Sequence, residues 1–270
     1  MTPEAHFNLR RPPFERDVPA SALYISPRTQ ELLARLEFAA SRRKFVVVTG
    51  DVGVGKSTAI RRFAGTLDSS RYRCIYIADS ALKPRVFYWE ILTQMAEGEK
   101  PSFYRSECKR KMLAYMRRLH DESHIIPVVV IDEAHLLSHE MLEETRFLLN
   151  NDMDSSNPMS LLVVGQSELR GRLSMSVYEP IAQRVDFRFK LEPFDRAQTL
   201  EYVAAHMRYA GGDAGVFTDT AADAVYAFSR GFARNINKAC SLALIYAAQR
   251  GKRSVDGADI EFIVDQELTW

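Results

Sequence analysis

Two short stretches hold the residue types able to do chemistry. In the first, Gly50-Asp51-Val52-Gly53-Val54-Gly55-Lys56-Ser57 fits the pattern G-x-x-x-x-G-K-[ST], followed by Thr58. Glycines let a backbone curl until successive N–H groups face one anion, and a following helix adds the positive end of its dipole. Lys56 is then placed for the β- and γ-phosphates of a nucleoside triphosphate, and Ser57 for a Mg²⁺ ion. In the second, Pro127-Val128-Val129-Val130-Ile131 runs into Asp132 and Glu133. An acid at the carboxyl end of a buried parallel strand can support the same metal, and Glu133 beside it can polarise a water for attack on the γ-phosphate. Gln166, which ends a later apolar run, offers an amide for the γ-phosphate or that water, or else simply starts the next helix.

The surrounding pattern supplies the elements that must position these groups. Phe45–Thr49, Cys74–Ala78, Pro127–Ile131 and Ser160–Gly165 read as strands, and the alternating stretch Asp186–Leu191 as a strand near the sheet edge. Helices are predicted from Ser26 or Pro27, after Lys56 with Ala59, Ile60 and Phe63 on one face, and over Val86–Ala96, Glu107–His120, Glu140–Asn150 and Ser167–Leu173, with Gly98 and Pro101 as breaks. After Pro193 only helices follow: Arg196–Tyr209, Asp219–Phe228, Asn235–Gln249 and Asp256–Glu267. Ile236, Cys240, Ala243, Leu244 and Ala247 give them an apolar stripe. The predicted architecture is a three-layer α/β domain with a mostly parallel five-stranded sheet (30–192) and a small helical domain (193–270). Ahead of them, 1–29 forms a proline- and arginine-rich arm carrying Phe7, Phe14 and Tyr24, extended because residues before proline avoid helical geometry.

Thirty-six Lys and Arg against 35 Asp and Glu leave a net charge of +1, which excludes a globally basic protein but not a local basic face. Such a face is offered by Lys83, Arg85, Arg105, Lys109, Arg110 and Lys111, with Arg117 and Arg118 near Tyr104 and Tyr115. Phosphate contacts with duplex DNA need clusters of this kind, although a solvated helix face has the same composition. Cys74, Cys108 and Cys240 lack metal-type spacing and read as reduced thiols. His135 has no companion ligands and reads as a local polar contact. No apolar run approaches the roughly 20 residues that cross a bilayer, and no leader is apparent, so a cytoplasmic location without direct membrane insertion is expected.

The constellation resembles an AAA+ ATPase. That resemblance makes the phosphate loop the Walker A element, Asp132-Glu133 Walker B and Gln166 the sensor-1 residue, where Asn, Ser or Thr is commoner. It also makes Arg184 an arginine finger entering a neighbour's site and Arg234 of GFARNIN a sensor-2 arginine on the lid. Arg170 or Arg172 could replace Arg184 as the finger, leaving Arg184 to pair with Asp186, and Arg234 could merely pair with helix carbonyls. The implied activity is Mg²⁺-dependent hydrolysis of ATP to ADP and phosphate. The implied assembly is a homo-oligomeric ring or filament of about six or seven subunits per turn. FNLRRPPFERDVPASALYISPRTQELLARLEFAA, TGDVGVGKST, VVIDEAHLL, VVGQSELRGRL and GFARNINKAC are similar both to ExeA-type secretion ATPases and to the TnsC, TniB and MuB class of transposition regulators. Members of the second class bind duplex DNA and recruit a transposase or target selector. ExeA proteins continue into a membrane segment, whereas this chain stops at Trp270. The regulator is therefore the expectation, with a secretion ATPase acting through a membrane partner as the alternative. A small-molecule kinase on the same loop is disfavoured by the acid pair and the arginine-bearing lid.

Overall fold

The structure is a computed structural model that describes residues 2–15, 17–79, 81–96, 98–100, 102–149 and 157–268. Pro101 and Asn150, a break and a helix end in the sequence pattern, lie outside the described residues. The chain divides into two compact units. One comprises Gln30–Asp51 and Ala59–Leu191; the other comprises Met1–Thr29, Val52–Thr58 and Glu192–Trp270.

The first unit holds a five-stranded sheet in the order β2-β3-β4-β1-β5, with β1 Phe45–Thr49, β2 Tyr72–Ile77, β3 Ile126–Ile131, β4 Ser160–Gly165 and β5 Phe187–Lys190. Every pairing is parallel. Continuous apolar sequence marks the strands covered on both faces, and every residue of β1 and β4 is buried. The alternating β5 takes one edge and β2 the other, where alternation leaves one face wet. β2 begins before Cys74 because Tyr72 and Arg73 extend the ladder against Ile126 and Pro127, a register that apolar content alone does not show.

Helices flank the sheet: α2 Pro27–Ser41, α3 Lys56–Thr66, α4 Pro84–Met95, α5 Arg105–Ser123, α6 His139–Leu148, α7 Ser167–Leu173 and the single turn α8 Glu179–Ala182. α5 outruns the predicted Glu107–His120 at both ends. The added residues are polar, and the helix stops only where His124 takes a left-handed conformation, φ 55°. α6 starts at a Ser138 cap that accepts the Met141 N–H at 3.2 Å. Phe45, Ile75, Tyr88, Met112, Val129 and Leu161 are among the side chains of one continuous core.

The second unit is helical. It contains α9 Arg196–Tyr209, α10 Asp219–Ser229, α11 Ala233–Gln249 and α12 Gly257–Ile263, with α1 Pro3–His6 from the arm. Asp195 and Asp256 each close a capping box, with Gln198 and Asp259 respectively. The arm is less extended than its prolines predict, since Thr2 accepts the Ala5 N–H at 3.3 Å and Pro3 sits at the one turn that tolerates it. Phe7, Leu9 and Phe14 are buried in the same core as Val203, Met207, Ile236, Ala243 and Leu244. Arg10 donates its N–H to the Ala210 carbonyl at 2.8 Å. Gly212 admits the arm: a Cβ there would lie 2.3 Å from the Leu9 side chain.

Candidate functional site

In the sheet unit the acid pair is fixed by its own backbone. Glu133 follows β3 in a left-handed conformation, φ 48°, which is uncommon for a side chain of its size and persists only where the surroundings enforce it. The turn brings the Glu133 N–H onto Asp132 Oδ1 at 2.8 Å. Asp132 Oδ2 accepts the phenol O–H of Tyr76 at 2.7 Å. Asp132 is buried, while the Glu133 side chain stays 44% exposed, so one carboxylate is held and the other can meet water. Glu133 Oε2 accepts the Gln166 amide N–H at 3.4 Å and lies 3.5 Å from His135 Nδ1, which has no hydrogen bond of its own. Gln166 caps α7 without using its side chain for the cap, which leaves the amide to reach the acid. β3 and β4 are neighbours in the sheet, and that adjacency brings Gln166 and Glu133 together. Asp51 in the same unit accepts the Ser167 hydroxyl.

In the helical unit lies the rest of the phosphate-binding pattern, Val52–Thr58. Gly53 and Gly55 adopt φ of 83° and 101°, conformations that L side chains rarely take. A Cβ on Gly55 would meet nothing within 4 Å, so the loop keeps an open side against which a phosphate fits. A Cβ on Gly53 would lie 3.0 Å from Arg234 Cβ, and the Arg234 N–H donates to the Gly53 carbonyl at 3.2 Å. Arg234, nominated as sensor 2, therefore meets the loop through its backbone and its side-chain stem. Lys56 is buried and Ser57 exposed at the start of α3. The Ser57 hydroxyl in the helical unit and the Asp132 carboxylate in the sheet unit are each, taken separately, oxygen donors of the kind that suits a hard cation such as Mg²⁺. When bound, that ion would supply charge neutralisation at the phosphates.

Of the arginines, Arg172 donates to the His135 carbonyl at 2.7 Å and lies over the Tyr178 ring. Arg170 is exposed on α7 and Arg184 half-buried just before β5. Asp186, the alternative partner considered for Arg184, is engaged by Lys44 at 2.9 Å and by the Phe45 N–H at 2.9 Å.

The basic helix face is not uniformly available to a partner. Arg105 pairs with Glu140 at 2.7 Å and with buried Glu144, and Lys109 reaches Glu144 at 3.2 Å. Lys111 pairs with Glu99 at 3.4 Å, and Arg85 donates to the Ser102 carbonyl at 3.1 Å. Lys83 caps the start of α4, and Arg110 is exposed. Sequence reasoning missed Tyr76, Glu144 and exposed Phe103. The partners of Tyr76 and Glu144 sit on other elements, so no local spacing signals them, and Phe103 meets the ring of adjacent Tyr104.

A family model described as "AAA domain" matches residues 39–173, half of the chain. The chain belongs to the AAA family of ATPases. This AAA chain is 30% identical over 276 residues to General secretion pathway protein A of Aeromonas hydrophila, covering 98% of the chain and 49% of that relative. It thus spans about half the relative's length. Among solved structures, Cdc6p of Pyrobaculum aerophilum superposes with a TM-score of 0.68 at 16% identity, covering 90% of this chain and 67% of that one. The Aeropyrum pernix ORC1 protein in complex with DNA gives 0.69 at 15%, covering 94% and 68%. Drosophila ORC bound to DNA gives 0.68 at 18%, covering 98% and 66%. At such identities the likeness shows the fold: a parallel five-stranded P-loop AAA sheet with flanking helices. Among the described residues, no helix is long and apolar enough to cross a membrane.

Proposed function

We propose that this AAA ATPase hydrolyses ATP with Mg²⁺, assembles on duplex DNA in its ATP-bound state, and regulates transposition by selecting a target site and recruiting a transposase. The observation that carries the hydrolytic reading is the fixed Asp132 beside the water-accessible Glu133, with Gln166 on its carboxylate. Glu133 draws a proton from the attacking water, and Gln166 orients that carboxylate. Lys56, Ser57 and the loop Gly50–Gly55 hold the phosphates and the metal, with Arg234 beside the loop. Arg184 acts in a neighbouring subunit's site, which makes hydrolysis depend on assembly.

The DNA reading draws on two neighbours solved with DNA and on one surface of the sheet unit. There Phe103 and Tyr104 stand 85% and 67% exposed beside Ser102, which holds Arg85. Aromatics interleaved with cations suit bases and phosphates. The transposition reading draws on the motif resemblance to the regulator class. A second reading, a secretion ATPase working through a membrane partner, is favoured by the match to General secretion pathway protein A along nearly the whole chain.

Electron microscopy and gel shifts with a non-hydrolysable ATP analogue, with and without duplex DNA, separate them. Rings or filaments that need both nucleotide and DNA are expected, with binding that weakens steeply as salt rises. Failure to retain DNA at low salt, together with co-sedimentation with membranes, would overturn the first reading in favour of the second.

A further inference from the structure

Tyr76 is placed as few exposed aromatics are. It lies on the edge strand β2, 43% exposed, yet its hydroxyl turns back onto Asp132 Oδ2 at 2.7 Å. The residue is clasped from outside by Gln94 of α4. The Tyr76 N–H donates to Gln94 Oε1 at 3.0 Å, and Gln94 Nε2 donates to the Tyr76 carbonyl at 3.0 Å. Glu90 Oε1, one turn earlier on α4, accepts from the same amide at 3.1 Å and fixes its orientation.

We infer that Tyr76 is a positioning residue that sets the rotation of the Asp132 carboxylate for a divalent cation; this rests on the reading of Asp132 as a metal-supporting acid. A carboxylate has about four lone-pair positions on its two oxygens. The Glu133 N–H takes one on Oδ1 and the Tyr76 O–H one on Oδ2. Two donors from different elements remove the free rotation of the group and so set the angle at which it meets the metal or its waters. Water alone could hydrogen-bond to Oδ2, because the tyrosine is half-exposed. It could not fix the angle, since it lacks the clasp that holds the tyrosine's backbone. Partners of this outer kind typically govern about 10–100-fold in metal affinity, and the exposure of Tyr76 places it at the low end.

The test is a Mn²⁺ titration followed by electron paramagnetic resonance on full-length protein with bound ATP analogue, comparing wild type, Tyr76→Phe and Asp132→Asn. The phenylalanine keeps the ring and removes only the hydroxyl. About tenfold weaker Mn²⁺ binding in Tyr76→Phe is expected, with nucleotide affinity in EDTA and the thermal midpoint unchanged. Wild-type Mn²⁺ affinity in Tyr76→Phe alongside a loss in Asp132→Asn would overturn the role of Tyr76 and leave the reading of Asp132 standing. Wild-type affinity in Asp132→Asn would remove that reading and the inference with it. An equal loss of metal-free nucleotide affinity in Tyr76→Phe would mark a displaced strand and would also overturn the inference.

Discussion

The sheet unit and the helical unit divide their polar groups differently. In the sheet unit, partly exposed polar side chains reach a buried acid on another element: Tyr76 meets Asp132, and Arg105 and Lys109 meet Glu144. In the helical unit, polar groups cap and tie. Asp195 and Asp256 start helices, Lys252 joins Asp256 and Asp259 at 3.2 and 2.6 Å, and His206 Nδ1 donates to the Pro13 carbonyl at 2.7 Å. The difference teaches where chemistry is affordable. A doubly covered parallel sheet has stability to spare for an acid held in a left-handed turn. The helical core adds Phe7, Leu9 and Phe14 of the arm to Tyr202, Met207, Phe217, Ile236 and Leu244.

The largest effect that sharpens this contrast is expected from Glu133→Gln. Phosphate release should fall by about 10²–10⁴-fold while ATP affinity and the unfolding midpoint stay near wild type. Hydrolysis at the wild-type rate would remove Glu133 from the mechanism. Phe14→Ala should do the reverse. Loss of a buried aromatic costs about 3–5 kcal/mol, and hydrogen exchange should show it as lost protection in α9 and α11 while β1, β3 and β4 keep theirs. Equal loss in both units would erase the distinction.

The smallest effect concerns pH. Burial lowers the pKa of His206 despite its bond to Pro13, and the ring lies stacked 5.6 Å from Phe14. The folded state therefore takes up the proton less readily than the unfolded chain, whose histidines titrate near about 6.5. This contribution to stability is complete above that pH, is lost as pH falls through it, and levels off below the depressed folded value. Urea midpoints of the helical unit should fall from pH 7.5 to 5.5 in wild type and fall less in His206→Phe. Identical slopes would exclude His206 as the source.

Much of the fold was legible because its signals are local. The continuous apolar runs of β1 and β4 place those strands at their observed bounds, and the helix predicted over Arg196–Tyr209 is α9. Glycine spacing located the phosphate loop, and the apolar run ending in two acids located Asp132 and Glu133. Side-chain partners on other elements were not legible. The charges of Arg105 and Lys109 read as a candidate DNA-binding face because Glu144 lies a helix away, and nothing near Cys74 announces that Tyr76 reaches Asp132. The arm's prolines signalled extension; the turn at Pro3 is closed by the local Thr2 cap, whereas the seat at Gly212 depends on a contact some two hundred residues distant.

That distance bears on how the protein comes into being. On the ribosome, β1 must wait for its neighbours β4 and β5, more than a hundred residues later, and Phe7, Leu9 and Phe14 wait longer still, for Val203 through Leu244, before they have a hydrophobic home. For most of translation the arm's buried apolar side chains have no core to enter, and the helical unit is completed only late in synthesis.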